Sequence, residues 1–189
     1  MNQIIKRARE FFYENVKNFG SDPYSLLPHV PEVEKWAKFL INKHSEVDGA
    51  IVLLGVWLHD VGHYPLPSNQ DHAIRGENVA RKFLVGENYD GDNLERVLHC
   101  VRAHRCKDVV PETMEAKVVA FSDSASHMTT GIYLEMSKCD KEARREFQAF
   151  AKLERDFRDL SFFPERREQM RPLYESWKNL LGSYEKLEL

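Results

Sequence analysis

Three cysteines in 189 residues, Cys100, Cys106 and Cys139, have neither the even count nor the density of a disulfide framework, and no close pair suggests a zinc knuckle. A reducing compartment is the expectation. Long apolar runs are missing too: the longest, Ala50 to Leu58, falls far short of the ~20 residues that span a bilayer, so no membrane is expected. Basic excess is also absent. With 27 Lys and Arg against 30 Asp and Glu, a net charge of -3 argues against a dedicated nucleic-acid binder, although a local basic pocket stays open. Met1 to Arg7 is charged and amphipathic, unlike a signal peptide, which leads us to expect a cytoplasmic protein. No strand-like alternation, internal repeat or low-complexity tract occurs.

What is present is helical periodicity. A 42% hydrophobic and 30% charged composition fits one domain over 1–189 with a substantial core. Ile4, Ile5, Ala8, Phe11, Phe12 and Val16 describe a first amphipathic helix. Val30, Val33, Trp36, Ala37, Leu40 and Ile41 give a second, its start marked by Pro28 or Pro31, with His29 at its mouth on the apolar side. Asp48 is a plausible cap for a third helix through Ile51, Leu54, Trp57 and Leu58, after which Gly62 permits the ending turn. Pro65 to Asn69 reads as a loop at a pocket rim, and a fourth helix starts near Asp71 and His72, where Gly76 leaves room for close packing.

Asp92 and Glu95 form a capping-box pattern for the fifth helix. Its buried stripe of Leu94, Val97, Leu98 and Val101 turns His104 inward and leaves His99 on the polar side. Pro111 opens a sixth helix that places Asp123 on the face of Ala116, Val119 and Ala120, a costly position for a carboxylate with no partner. Beyond Asp140 two more helices are expected, giving seven to eight in an all-α fold.

The centre of the chain is the run Leu53 to Pro65, in which an apolar helix ends in His59 and Asp60, followed by Gly62 and His63. Imidazole and carboxylate together suit divalent metals. Collected in order, the inward or helix-end polar residues are His29, His59, Asp60, His72, His104 and Asp123. The segments LPHVPEVEKWAKFL, VWLHDVGHYP, DHAIRGENVA, VLHCVRAHR and VVAFSDSASH, in this order, resemble the HD-domain superfamily of metal-dependent phosphohydrolases.

That resemblance, over roughly 27–128, implies a helical HD-type domain with helices of 140–182 as scaffold, and one or two divalent ions (Mn, Fe, Co, Ni, Zn or Mg). It implies a first site of His29, His59, Asp60 and Asp123, and a second in which Asp60 bridges to His72 and His104. The implied activity is hydrolysis of a phosphoester or phosphoanhydride in a nucleotide or related small molecule. His63 stands where relatives often carry Lys or Glu; it could move a proton in catalysis, or merely cap the turn. Arg105 could grip phosphate, with Lys107 adding charge. Ser126 stands where the cyclic-dinucleotide phosphodiesterases have an aspartate and their GYP signature is absent, which argues against such substrates.

A di-iron oxygenase and a non-catalytic metal-binding sensor module are the alternative functions. His44, His99 and His127 are read as surface or partly buried and not as ligands, and Cys100 and Cys106 as structural thiols. Phe147, Phe150, Phe157, Phe162, Phe163, Tyr174 and Trp177 read as core or a homodimer contact, and Arg144, Arg145, Lys152, Arg166 and Arg167 as a solvated face.

Overall fold

Apolar residues spaced three and four apart can be buried only if the segments that carry them form helices and pack stripe to stripe. In the computed structural model this accounts for every regular element among the described residues, which are 3–64, 69–138 and 145–185, with the backbone alone at 137–138, 145–148 and 184–185. The fold is all-α. The expected loop at 65–68, Cys139, and the side chains of Arg144, Arg145 and Phe147 lie outside the described residues.

The chain divides into two compact units, Met1–Asp123 and Ser124–Leu189. The first holds α1 (Gln3–Phe19), α2 (Leu26–Ile41), α3 (Gly49–Leu58), a 3-10 turn (Val61–His63), α4 (His72–Gly86) and α5 (Gly91–Ala103). Helix α6 (Met114–Thr129) runs across the division. The second unit continues with α7 (Ile132–Lys138), α8 (Arg145–Asp159) and α9 (Pro164–Glu185). The short α7 has no counterpart in the sequence reading, because seven residues are too few to display a helical period.

Helix α3 is apolar on all sides and is the centre of the first unit; α1, α2 and α5 pack on it. A buried polar cluster keys three helices together. Glu34 on α2 accepts two bonds from Arg9 on α1 (2.6 and 2.9 Å) and one from Trp57 on α3 (3.2 Å), while the Arg9 guanidinium lies 4.7 Å over the Trp57 ring. On the opposite side of α3, a Cβ at Gly55 would meet the Cys100 side chain at 2.8 Å and Val119 at 3.1 Å, so glycine brings α5 and α6 close there. Cys100 is accordingly buried, a structural thiol.

Several helix starts differ from the expectation. Helix α2 begins at Leu26, ahead of both prolines, because the Asp22 carboxylate accepts from the Leu26 and Leu27 amides (2.8 Å each) and Pro28, in the first turn, forfeits no internal bond. Asp48 does cap α3, accepting from Ala50 and Ile51. The capping box of α5 does not form: Gly91 turns left-handed (φ +67°) after the cap Asp90, and Glu95 pairs instead with Arg81 on α4 at 2.6 Å. Helix α6 starts at Met114 rather than at Pro111, where Thr113 Oγ1 accepts from the Ala116 amide.

In the second unit, Phe157 stacks on Tyr174 with centroids 4.0 Å apart, and the Trp177 indole donates to the Met128 carbonyl (2.8 Å). His127, read as surface or partly buried, is in fact buried, with Nδ1 3.1 Å from Asp156. Lys152, read as solvated, also pairs with Asp156 (3.3 Å), and Tyr133 donates to the same carboxylate (2.8 Å). Burial works against this Asp156 anion, but Lys152 and His127 hold its pKa below the usual carboxylate value. Arg167 is not simply solvated either: it bonds the Phe157 carbonyl and covers that ring.

Candidate metal centre

The first unit brings all seven candidate residues, His29, His59, Asp60, His63, His72, His104 and Asp123, to one place; Arg105 lies beside them. Helix ends deliver most of them. His59 caps the C-terminus of α3 and His104 that of α5, and each uses the same local device. Their Nδ1 atoms lie 2.7 Å from the carbonyls three residues back, Val56 and Val101, which are among those a helix C-terminus leaves without an internal partner. A carbonyl only accepts, so Nδ1 carries a proton in both rings, and Nε2 is the nitrogen whose lone pair can face the site when it is not itself protonated.

Asp60 stands between two groups of donors. Its Oδ2 lies 3.3 Å from His59 Nε2 and 3.5 Å from His29 Nε2, and His29 Nε2 is 3.1 Å from Asp123 Oδ1. Its Oδ1 faces the other way, 3.4 Å from His72 Nε2, 3.5 Å from His63 Nε2 and 3.6 Å from His104 Nε2. Donors about 2.1 Å from an ion at tetrahedral or octahedral angles are roughly 3.0–3.4 Å apart, so both groups have near-ligand spacing. Two triads, His29–His59–Asp123 and Asp60–His63–His72, each have ligand atoms within 4.8 Å of one another. His59 Nε2 is fully buried yet makes no hydrogen bond of good geometry, and His72 and His104 meet Nε2 to Nε2 at 3.2 Å. Imidazole nitrogens that converge on carboxylate oxygens at this spacing fit a cation.

The electrostatics separate the two groups. Burial presses the His59 pKa down, but the Asp60 and Asp123 carboxylates outweigh it and raise the imidazole to about 9. Burial, reinforced by His59, pushes His104 down to about 3, and burial also lowers His72. Asp60 is held well below the usual carboxylate range, since His59 and His63 overcome its burial. The metal-free site thus carries its proton on His59 and keeps His72 and His104 neutral.

Gly62 holds the 3-10 turn against α4. A Cβ on it would lie 2.0 Å from the His72 carbonyl oxygen and 2.4 Å from the Gly76 nitrogen, while Gly76 leaves the matching room. Its φ is not among the positive values, so close backbone approach, and not the turn itself, is what demands glycine here. This contact lays the His63 ring on the His72 ring, 3.9 Å between centroids and 19° from parallel.

The His63 and His72 side opens into a cleft of about 430 Å³ lined also by Tyr24, Asp71, Arg75, Arg105 and Lys107. Arg105 donates to Asp71, the cap of α4. The sequence reading missed Tyr24, which packs on His63 (4.3 Å), and Arg75; neither has a local signal that predicts a place at the cleft. His99 stays outside the centre, accepting from the Glu112 amide (3.0 Å), and His44 pairs with Glu46.

A family model described as HD domain matches residues 26–128, more than half of the chain. The chain is also similar to a tRNA (cytidine(56)-2'-O)-methyltransferase of Picrophilus torridus, 29% identical over 151 residues, covering 72% of this chain and 41% of that protein. It therefore spans about two fifths of that relative's length. No solved structure matches it.

Proposed function

The chain belongs to the HD-domain family, and on that premise we propose that it is a phosphohydrolase using two divalent ions, acting on a phosphoester or phosphoanhydride of a nucleotide or related small molecule. The observation that carries the reading is Asp60, whose two oxygens face two separate groups of imidazoles. Ions bound there would supply Lewis-acid charge that acidifies a water and offsets the charge on a phosphoryl group. His29, His59 and Asp123 would hold the first ion with Asp60 Oδ2; His72 and His104 would hold the second with Oδ1.

The protein's own groups do the rest. His63, at the mouth of the cleft and 3.5 Å from Asp60, is placed to pass a proton to a leaving oxygen, or to join the second ion as a further nitrogen. Arg75, Arg105 and Lys107 give the cleft a positive wall in a chain of net charge -3, which favours a phosphate there. The methyl transfer in the relative's name is not carried over, because more than half of that protein lies outside the match.

The test is a panel of nucleotides, phosphomonoesters and pyrophosphates offered to metal-stripped protein reloaded with Mn, Co, Mg, Fe, Ni or Zn. Release of phosphate by the wild type, abolished in a folded His59→Ala protein along with its metal content, supports the reading. Turnover that survives in pure His59→Ala sinks it. Activity with iron alone that consumes oxygen would replace it with the oxygenase reading, which the imidazole-rich donor set also suits.

A further inference from the structure

Among the described residues, His72 differs from the other two helix-end histidines in having no carbonyl that holds its ring. His59 and His104 sit at helix C-termini, where carbonyls are exposed, and each bonds one at 2.7 Å. His72 is the first residue of α4, an end that exposes N–H groups instead, and among the described residues no carbonyl accepts from its Nδ1. Its ring nonetheless meets His104 at 3.2 Å and Asp60 at 3.4 Å. Something else must fix that end of α4.

The residues next door supply it. Asp71 precedes His72 and Arg105 follows His104, and these two neighbours are joined to each other. Asp71 divides its carboxylate: Oδ1 accepts from the Ala73 amide at 2.9 Å and caps the helix, while Oδ2 accepts from Arg105 Nη1. Both side chains are only about one-quarter exposed.

We propose that the Asp71–Arg105 pair is the positioning device of the second ion site: it ties the start of α4 to the end of α5 and so sets His72 against His104. The first site, built from α2, α3 and α6, does not use it. Arg105 on this account acts through the histidines, whatever its other nitrogens offer to a substrate in the cleft. The inference rests on the two-ion reading above.

The experiment is a titration of metal-stripped, full-length protein with Mn(II), followed by calorimetry and electron paramagnetic resonance, with circular dichroism to verify folding. Asp71→Asn keeps a good helix cap but removes the charge; Arg105→Gln removes the other partner, and Arg105→Lys restores the charge alone. The wild type is expected to take two ions per chain. In Asp71→Asn and Arg105→Gln the first ion should bind within about threefold of wild type, and the second about 10–100-fold more weakly. An uncoupled manganese signal should replace the coupled one, and Arg105→Lys should recover part of the loss.

A second ion held at wild-type affinity by both folded variants overturns the positioning role and leaves the two-ion reading intact. Equal weakening of both ions also overturns it, since the pair would then support the whole site. A wild type that takes one ion removes the two-ion reading and the positioning role together.

Discussion

On the Oδ2 side of Asp60, His29 and His59 are 2% and 0% exposed; on the Oδ1 side, the His63 and His72 side chains are 16% and 18% exposed and border the cleft. The closed side is held by burial and holds its proton: two carboxylates keep His59 charged in the metal-free chain. The open side is held by contacts one residue removed from the donors, Gly62 on the α4 backbone and Asp71 on Arg105, and its His72 and His104 are neutral. A substrate can reach only a side with an opening, so on the proposed function the two halves would divide the work between retaining an ion and admitting a phosphate.

The most severe way to break this division is to remove the residue common to both halves. Asp60→Ala should lower kcat/KM by on the order of a thousandfold or more, about 4 kcal/mol of transition-state stabilisation, and metal analysis should find both ions lost. Gly62→Ala should damage the open half selectively. Its methyl group has backbone atoms at 2.0 and 2.4 Å, so the turn must leave α4, at a cost of about 1–3 kcal/mol in denaturant unfolding. The second ion should weaken and the first should not; equal affinities for both would show that the halves are not independent.

The protonation states sharpen the comparison. Ions entering the closed side at pH 7–8 should expel about one proton, from His59, whereas those entering the open side should expel none; calorimetry in buffers of different ionisation heat measures both. Without metal, the two halves also act on stability in opposite directions. The His59 pKa is raised, so its contribution is whole below its ordinary value of 6.5 and fades as pH rises through about 9. The His104 pKa is depressed, so its contribution is present above 6.5 and is lost as pH falls toward about 3. Considering these two groups, the urea midpoint of the metal-free chain should peak near pH 6.5. The smallest effect is expected far from either half: His44→Gln should change stability by less than about 0.5 kcal/mol and leave metal content unaltered.

Much of the architecture was legible in the chain. The 3.6-residue period marked the long helices because a buried stripe leaves no freedom in the positions of its apolar residues, and the inward turn of His104 followed from its spacing to Val97 and Val101. Helix starts were less legible. The starts of α2 and α6 depend on which side chain reaches an amide, that of α5 on the left-handed turn at Gly91 with no side-chain cap, and these won over the prolines and the Asp92–Glu95 pattern for geometric reasons that no composition rule contains. His127 and Lys152 were misjudged because they meet at Asp156: Lys152 is one turn from that carboxylate on its own helix, but it and His127 are 25 residues apart in sequence.

The residue types and spacings alone determined an all-helical chain with a family of histidines and aspartates aimed inward, since periodicity is a local property and imidazole and carboxylate are metal donors wherever they stand. Only the tertiary structure decided that Asp60 offers one oxygen to each group, that Gly62 is required by the α4 backbone, and that Asp71 meets Arg105. Those are distances between segments remote in sequence, and a sequence carries the direction of a side chain on its own helix but not the place where that helix meets another.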